Sequence, residues 1–360
     1  MREFTVTKND AGQRLDRFAA KAAPGLPSSL LQRYFRTKDI KINGRWAKPD
    51  ARVQAGDCVR LYIPEEFFTG EKKRGDEAWL GTLTPKLDIV YEDENILLVN
   101  KRPGVLCHTA QGWSTDTLIA HICAHVYQAG QWNPAAENSF APALCNRIDR
   151  GTGGIVIAAK NAEALRVMDE KIRAHELDKR YLCVCLGTPK PSEGRLENWL
   201  FKDAVKNQVY AKPRGEPGTS LAVMDYKVLE SAGELSLVEC RLHTGRTHQI
   251  RVQMAAAGHP LLGDSKYGVE KKNRAHGESR QLLYSYRLTF AFTSPAGTLD
   301  YLAGQTFAVK TVPFAEKYFP IYAMQKFQTQ MKGQAAKAGL SSEDDVADWI
   351  TQSRREEAEA

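Results

Sequence analysis

The stretch Asn146-Arg147-Ile148-Asp149-Arg150-Gly151-Thr152-Gly153-Gly154, running into Ile155-Val156-Ile157-Ala158-Ala159-Lys160, decides how the rest of the chain is read. A carboxylate lies between two arginines, small residues follow, and a short apolar run then predicts a buried strand. Glycines at such a junction permit turns and close backbone approach that a side chain blocks. Asp149 is therefore expected where a turn feeds a core strand, a place that holds a catalytic group rigidly. The same pattern, taken alone, also describes a salt-bridged Asp at a loop edge.

Composition narrows the field. A chain of 360 residues is long enough for about two or three domains. Its 42% hydrophobic and 26% charged residues are those of a globular protein in water. No apolar run reaches the roughly 18 residues of a membrane span. Met1-Arg2-Glu3-Phe4-Thr5-Val6 lacks the apolar core of a signal peptide, so a cytoplasmic location is expected. The seven cysteines are scattered without CxxC pairs, which predicts free thiols. Cys183 and Cys185 alternate within an apparent strand and are expected to act as small buried hydrophobes. The net charge is +7, and residues 1–64 hold 13 basic against 6 acidic side chains, so that segment carries the whole excess. A small, strongly basic segment ahead of a nearly neutral remainder implies a polyanion-binding module.

Helical spacing of Leu15, Phe18 and Ala19 predicts a first helix over 16–23. Pro24-Gly25-Leu26-Pro27 breaks it, and Ser28 is expected to cap a second helix through Leu31, Tyr34 and Phe35. Ile40 and Ile42 alternate before Asn43-Gly44, a hairpin turn signal, and Gly56-Asp57 opens a further strand through Val59, Leu61 and Ile63. Residues 65–84 are charge-rich and read as a linker. Ile89-Val90-Tyr91 and 96–99 form an expected hairpin around Asp93-Glu94-Asn95. Residues 114–127 read as a helix and 129–142 as a loop. Asn161 is expected to cap a helix with Leu165, Met168 and Ile172 facing the core. Residues 182–186 and 238–242 read as strands, and 203–220 as a long hairpin loop. Thr247 is expected to cap a helix closing at Gly258. The chain beyond 320 reads as a helical or frayed tail.

Residues 12–64, with two helices, a basic hairpin containing Lys41-Ile42-Asn43-Gly44 and a late Gly56-Asp57, resemble the alpha-L RNA-binding domain shared with a small-subunit ribosomal protein. That likeness implies RNA-backbone contacts by Arg33, Arg36, Lys38, Lys41 and Arg45. Residues 87–315 resemble the RluA-type pseudouridine synthases. The match rests on Val99-Asn100-Lys101-Arg102-Pro103-Gly104, on the Asp149 motif, on Lys179-Arg180-Tyr181, and on Thr244-Gly245-Arg246-Thr247-His248-Gln249-Ile250-Arg251. The last continues to Gly258-His259-Pro260-Leu261-Leu262-Gly263-Asp264.

The resemblance implies an isomerase, an intramolecular transferase that converts uridine to pseudouridine in structured RNA without cofactor or metal. It implies an α/β (α+β) fold with a mixed, mainly antiparallel central sheet and a catalytic cleft, joined to the small basic N-terminal α/β domain. The boundaries read 1–64 for the RNA-binding domain, 65–84 for the linker, 85–320 for the catalytic domain and 321–360 for the tail. Asp149 matches the catalytic aspartate, as nucleophile on the sugar or as base beside it. Arg251 matches its basic partner, and Tyr181 the residue that packs on the target base. Arg147 matches an arginine that enters the gap left by a flipped base. Arg246 and His248 are candidate phosphate contacts or packing residues. The family commonly has His, Asp and Ser where this chain has Asn146, Gly151 and Gly153.

The expected substrate is large-subunit ribosomal RNA, with transfer RNA as the alternative, acted on by a monomer. A reading from another class is a non-catalytic RNA-binding or assembly protein that kept the fold, and retention of Asp149, Tyr181 and Arg251 together argues against it. A metal hydrolase is a third. His121 and His125 have the i, i+4 spacing of metal-binding helices, but no Glu between them or third ligand, so they read as ordinary helix residues. Because charge and catalytic motifs lie in separate segments, a chain beginning near Gly81 is expected to fold without residues 1–80.

Overall fold

A computed structural model describes residues 1–68, 78–109 and 114–325. The chain divides into two compact units, Met1–Asp178 with Arg287–Ala308, and Lys179–Tyr286 with the chain from Val309 onward. Most of the expected C-terminal tail lies outside the described residues, as does the middle of the expected linker.

The first unit opens with β1 (Arg2–Thr5), α1 (Leu15–Ala22), α2 (Ser28–Arg36), β2 (Ile40–Ile42), β3 (Arg45–Trp46) and β4 (Cys58–Leu61). The strands form an antiparallel sheet in the order β1-β4-β2-β3. Leu15, Phe18 and Ala19 of α1 and Leu31 and Phe35 of α2 bury against Ile40, Val59 and Leu61, the packing that their helical and alternating spacings predict. Ser28 does not cap α2. Pro27 stands at the N-cap, and no side chain bonds the first turn. Asn43 and Gly44 both take positive φ, 51° and 78°, as a tight hairpin requires. The Asn43 side chain also accepts the Cys58 N–H at 2.9 Å, locking the turn to β4.

Both ends of the stretch read as a linker are structured. Phe68 is buried in the N-terminal core. Beyond the undescribed middle, α3 (Ala78–Thr82) buries Leu80. The Gln128 amide donates to the carbonyls of Leu80 and Leu83, at 2.7 and 2.8 Å. The apolar pairs Phe67-Phe68 and Trp79-Leu80 sit at the two ends of the charged run and outweigh it there.

The unit continues with β5 (Ile89–Glu92), β6 (Ile96–Lys101), α4 (Leu118–Gln128), β7 (Ala143–Leu144), β8 (Gly153–Ala159) and α5 (Ala162–Arg173). The β8 strand is buried along its whole length. It pairs antiparallel with β6 from Ile96↔Ala159 to Lys101↔Gly154, and with β7. Thr117 caps α4, and Asn161 caps α5 by accepting the Ala164 N–H at 2.8 Å. Met168 faces the core as expected, but Leu165 and Ile172 are only half-buried, and Lys171 is buried with them. The Lys171 ammonium is satisfied by Glu176 at 2.8 Å and by the Ser294 hydroxyl at 2.7 Å, which makes a cation tolerable there.

The second unit is entered within β9 (Leu177–Leu186) and holds β10 (Glu193–Asp203), β11 (Gln208–Lys212), β12 (Thr219–Ala232), β13 (Leu235–Leu242), α6 (Gln249–Ala256) and α7 (Glu270–Ala275). Its strands are antiparallel in the order β11-β10-β12-β13-β9. β14 (Leu283–Phe290) carries the chain back to the first unit, where β15 (Thr306–Ala308) pairs with its end. Then α8 (Pro313–Tyr318) follows in the second. The stretch 203–220 is not one loop. A turn closed by Asp203, which accepts the N–H groups of Val205 and Lys206, leads into β11 and a second turn into β12. Most residues of β10 and β11 are partly or fully exposed, so their sequences lack the apolar alternation that marks a half-buried strand. The fold class is as expected, α/β with mainly antiparallel sheet. All seven cysteines are free, and Cys183 and Cys185 are buried.

Two glycines test the backbone of the second unit. Gly263 has φ +78°, and a Cβ there would lie 2.0 Å from the Arg280 carbonyl oxygen, whereas Gly233, φ +60°, faces open space. Gly233→Ala should cost about 1 kcal/mol, and Gly263→Ala at least about 3 kcal/mol, because overpacking adds to the left-handed strain. Urea denaturation of both variants checks the difference.

Candidate active site

Asp149 lies in the first unit, half-buried, in the turn ahead of β8. The backbone around it is held at three successive carbonyls. The Ile148 carbonyl accepts from the Cys107 thiol at 3.5 Å. That of Asp149 accepts the Thr152 N–H at 3.1 Å. That of Arg150 accepts the Gly104 N–H at 2.7 Å and the Lys101 ammonium at 3.2 Å. The Arg150 guanidinium returns a bond to the Gly104 carbonyl at 3.0 Å. Segment 101–107 is thus a brace for the turn that presents Asp149. Lys101 is its centre. Its buried ammonium also donates to the Val105 carbonyl at 2.9 Å. Burial pushes its pKa down to about 8, against the opposing pull of Cys107 and Asp149.

Upstream, Asn146 explains itself. Its side-chain oxygen accepts the Ile157 N–H at 2.8 Å, while the Cys145 N–H reaches the Ile157 carbonyl. A short amide here continues the pairing of β7 with β8 past Leu144. Arg147 is exposed beside Asp149 in sequence.

Tyr181, Arg246 and Arg251 lie in the second unit. Tyr181 is buried in β9, opposite Cys240 of β13. Its neighbour Arg180 pairs with Glu239 at 2.8 Å, and the Tyr286 hydroxyl donates to the same carboxylate. Arg251 is buried on α6 and makes a two-pronged ion pair with Asp264, Nε to Oδ2 at 2.7 Å and Nη2 to Oδ1 at 2.9 Å. Burial pushes the Asp264 carboxyl up, but Arg251 and the N–H groups of Lys266 and Tyr267 outweigh it and hold it below the usual range. The Tyr267 ring lies under the guanidinium, 5.2 Å from its centroid. The Tyr267 hydroxyl bonds His248 Nδ1 at 2.9 Å and accepts the Val209 N–H at 2.9 Å.

Thr247 does not cap α6. His248 takes the N-cap position in a left-handed conformation, φ 53°. The first-turn side chain of Gln249 instead folds back, accepting from the Thr244 hydroxyl at 2.8 Å and the Arg246 N–H at 3.0 Å. Arg246 donates to the Leu221 carbonyl at 3.0 Å, so this exposed side chain also ties the motif to β12. Gln249, Arg251 and Gln253 are all buried on one short helix. Asp264, Lys101 and Gln249 were not picked out as site residues by the sequence, although all three lie inside quoted motifs. Only Asp264 carries a local signal, a charge set beside a glycine at the end of the apolar Leu261-Leu262 pair.

The histidines of α4 have ordinary partners. His125 bonds Glu92 at 2.8 Å, and His121 accepts the Lys86 N–H at 3.3 Å. Among the described residues no group of three or more His, Cys, Asp or Glu side chains could hold a metal ion. Among them, too, no helix is long and apolar enough to cross a membrane. The basic residues of the N-terminal segment, Arg33, Arg36, Lys38 and Arg45, are exposed and Lys41 is half-exposed. Lys38 lies over the Trp46 ring at 5.9 Å and Lys41 over Tyr62 at 5.0 Å.

Residues 95–256 match the family model described as RNA pseudouridylate synthase. The RNA pseudouridine synthase YlyB of Bacillus subtilis is 31% identical over 278 residues, covering 77% of this chain and 86% of that protein. Ribosomal large subunit pseudouridine synthase C of Escherichia coli is 30% identical over 297 residues, 81% of this chain and 88% of its own. Ribosomal large subunit pseudouridine synthase D of Neisseria meningitidis is 31% identical, with 83% and 78% covered. Among solved structures, human RNA pseudouridylate synthase domain containing 4 shares the fold, with a TM-score of 0.50 at 20% identity over 66% of this chain and 93% of that one. The chain therefore belongs to the RNA pseudouridylate synthase family, in its RluA-type branch. It is an isomerase whose substrate is RNA.

Removing one side of the Arg251–Asp264 pair leaves a buried charge uncompensated. Asp264→Asn should lower stability by about 3–5 kcal/mol at pH 7. The Asp264 carboxyl is held below its unfolded value, so its contribution is fully present above that unfolded value, about 3.9. The contribution disappears as pH falls through the lower folded value. The stability gap between wild type and variant should narrow only in that acid window, as measured by denaturation at several pH values.

Proposed function

We propose that this enzyme isomerises uridines of large-subunit ribosomal RNA, with Asp149 as the group that acts at the ribose. The observation that carries the catalytic role is the bracing of three consecutive carbonyls, at Ile148, Asp149 and Arg150, around one half-buried carboxylate. A group that must meet a sugar carbon gains from such fixed placement. The RNA class follows the Escherichia coli and Neisseria meningitidis relatives, ribosomal large subunit pseudouridine synthases C and D. Transfer RNA is the other substrate to be tested.

The uracil leaves carbon one of the ribose, turns, and is rejoined through its carbon five, whose proton is released. Asp149 assists as nucleophile on the sugar or as base at the adjoining carbon. Tyr181 offers an aromatic face to the detached base. Arg251, oriented by Asp264, supplies the fixed cation expected of the family's basic residue. Arg147 occupies the gap left by the extruded nucleotide, and Arg246 contacts phosphate. Arg33, Arg36, Lys38, Lys41 and Arg45 bind RNA backbone from the N-terminal segment. The enzyme works as a cytoplasmic monomer without cofactor or metal.

Asp149→Asn should reduce tritium release from RNA carrying carbon-five-labelled uridine by at least about 1,000-fold, about 4 kcal/mol, with RNA affinity changed little. Release near the wild-type rate would remove Asp149 from the chemistry. Wild-type activity on pre-folded RNA should survive excess EDTA. Loss on chelation, recovered with Zn²⁺ or Mg²⁺, would contradict the cofactor-free mechanism.

A further inference from the structure

The N-terminal segment is built into the first unit through a buried carboxylate that the catalytic reading does not use. Asp10 is fully buried. Its Oδ2 accepts from the Thr7 N–H at 3.0 Å, the Thr7 hydroxyl at 2.9 Å and the Asn138 amide at 2.7 Å. Its Oδ1 accepts from the Ser139 hydroxyl at 2.5 Å. The Asn138 amide also reaches the Thr5 carbonyl at 2.7 Å, and Gln13 donates to Ser139 at 2.7 Å. Asn9 donates to Glu137 at 2.6 Å. The same short segment grips α5, because the Asn9 side chain accepts the Ala162 N–H at 3.3 Å and Arg166 donates to the Ala11 carbonyl at 2.6 Å.

These contacts bracket the Asp149 region in sequence. Residues 137–139 precede it, and α5 follows β8 directly. From Ser139 onward the chain stays anchored, through buried Phe140, the β7–β8 pairing and the Cys145 and Asn146 bonds to Ile157. Nothing in this path is a flexible hinge of Gly or Ser. A basic module that only raised affinity would need a tether. Here it has a buried polar clamp, whose carboxylate is satisfied only by partners from both sides.

We propose that Asp10 is a positioning residue that sets target choice: the clamp makes the N-terminal domain a fixed arm, so RNA bound there presents one uridine, at a set distance, to Asp149. This rests on the reading that the N-terminal domain binds the substrate RNA. The basic side chains supply affinity, and the clamp supplies register.

The test compares wild type with Asp10→Ala, Asp10→Asn, and the double variant Asn138→Ala/Ser139→Ala, which opens the clamp from the side that leaves the N-terminal core intact. Each is measured for RNA affinity at several salt concentrations, for single-turnover rate at the main target uridine, and for pseudouridine distribution along a long ribosomal RNA. The alanine variants are expected to keep affinity within about threefold and the same salt slope, because no phosphate contact is lost. Their rate at the target should fall at least tenfold, and modification should spread to other uridines. Asp10→Asn keeps an acceptor for Asn138 and should recover part of the rate and selectivity. The proposal is overturned if the double variant melts like wild type yet matches its rate and distribution. It is equally overturned if the clamp variants lose affinity and salt slope while the rate at saturation stays unchanged. Failure of the underlying reading has a different signature, which is that wild type binds RNA equally well after Arg33, Arg36, Lys38, Lys41 and Arg45 are all changed to Ala.

Discussion

A buried ammonium ties together the turn that carries Asp149 in the first unit. Lys101 ends β6 opposite Gly154 and turns its side chain into a ring of carbonyls from Arg102, Val105 and Arg150. Burying a cation is costly, and only donation to several acceptors makes it acceptable. That cost shows in a pKa lowered to about 8. With the folded value below the unfolded value of about 10.4, the unfolded chain binds more protons between the two, so this group favours folding increasingly as pH rises through that window. Below about pH 8 the full desolvation cost is present, and the hydrogen bonds offset it. What the protein gains is a bond from the end of β6 to the Arg150 carbonyl in that turn.

The second unit uses a parallel device. Arg251 and Asp264 are both buried and joined at two points, and backbone N–H groups of Lys266 and Tyr267 share the load on the carboxylate. Gly263 lets the chain pass close to the Arg280 carbonyl just before Asp264. In each unit a candidate site residue is held by a buried polar group rather than by apolar packing alone. This fits an enzyme that must place a few atoms accurately on a substrate whose binding comes largely from a charged backbone.

Much of this was legible in the chain itself. Leu15, Phe18 and Ala19, the Asn43-Gly44 turn, the Asn161 cap and the buried run after Gly154 each obey one local rule, and the structure follows it. The Asp149 motif announced a turn feeding a core strand. The departures have separate physical causes. β10 and β11 are largely exposed, so no periodic apolar signal marks them. Thr247 and Ser28 have capping side chains but not the N-cap position, because His248 adopts a left-handed backbone and Pro27 precedes the first helical residue. The role of Lys101 depends in part on the Arg150 carbonyl, 49 positions on, and the partner of Arg251 lies beyond the end of its helix, where helical spacing gives no guide. The clamp around Asp10 joins residues about 130 positions apart, and an Asp in a polar N-terminal segment gives no sign of it.

The measurement that bears most directly on the braced turn is the turnover of Lys101→Met, which keeps the length of the side chain and removes the donor. Tritium release at saturating RNA, measured on folded variant at pH 7, should fall at least about tenfold, or about 1.4 kcal/mol, while RNA affinity stays within about twofold. A folded variant that turns over at the wild-type rate would contradict the account, because Asp149 would then be held in place without the brace.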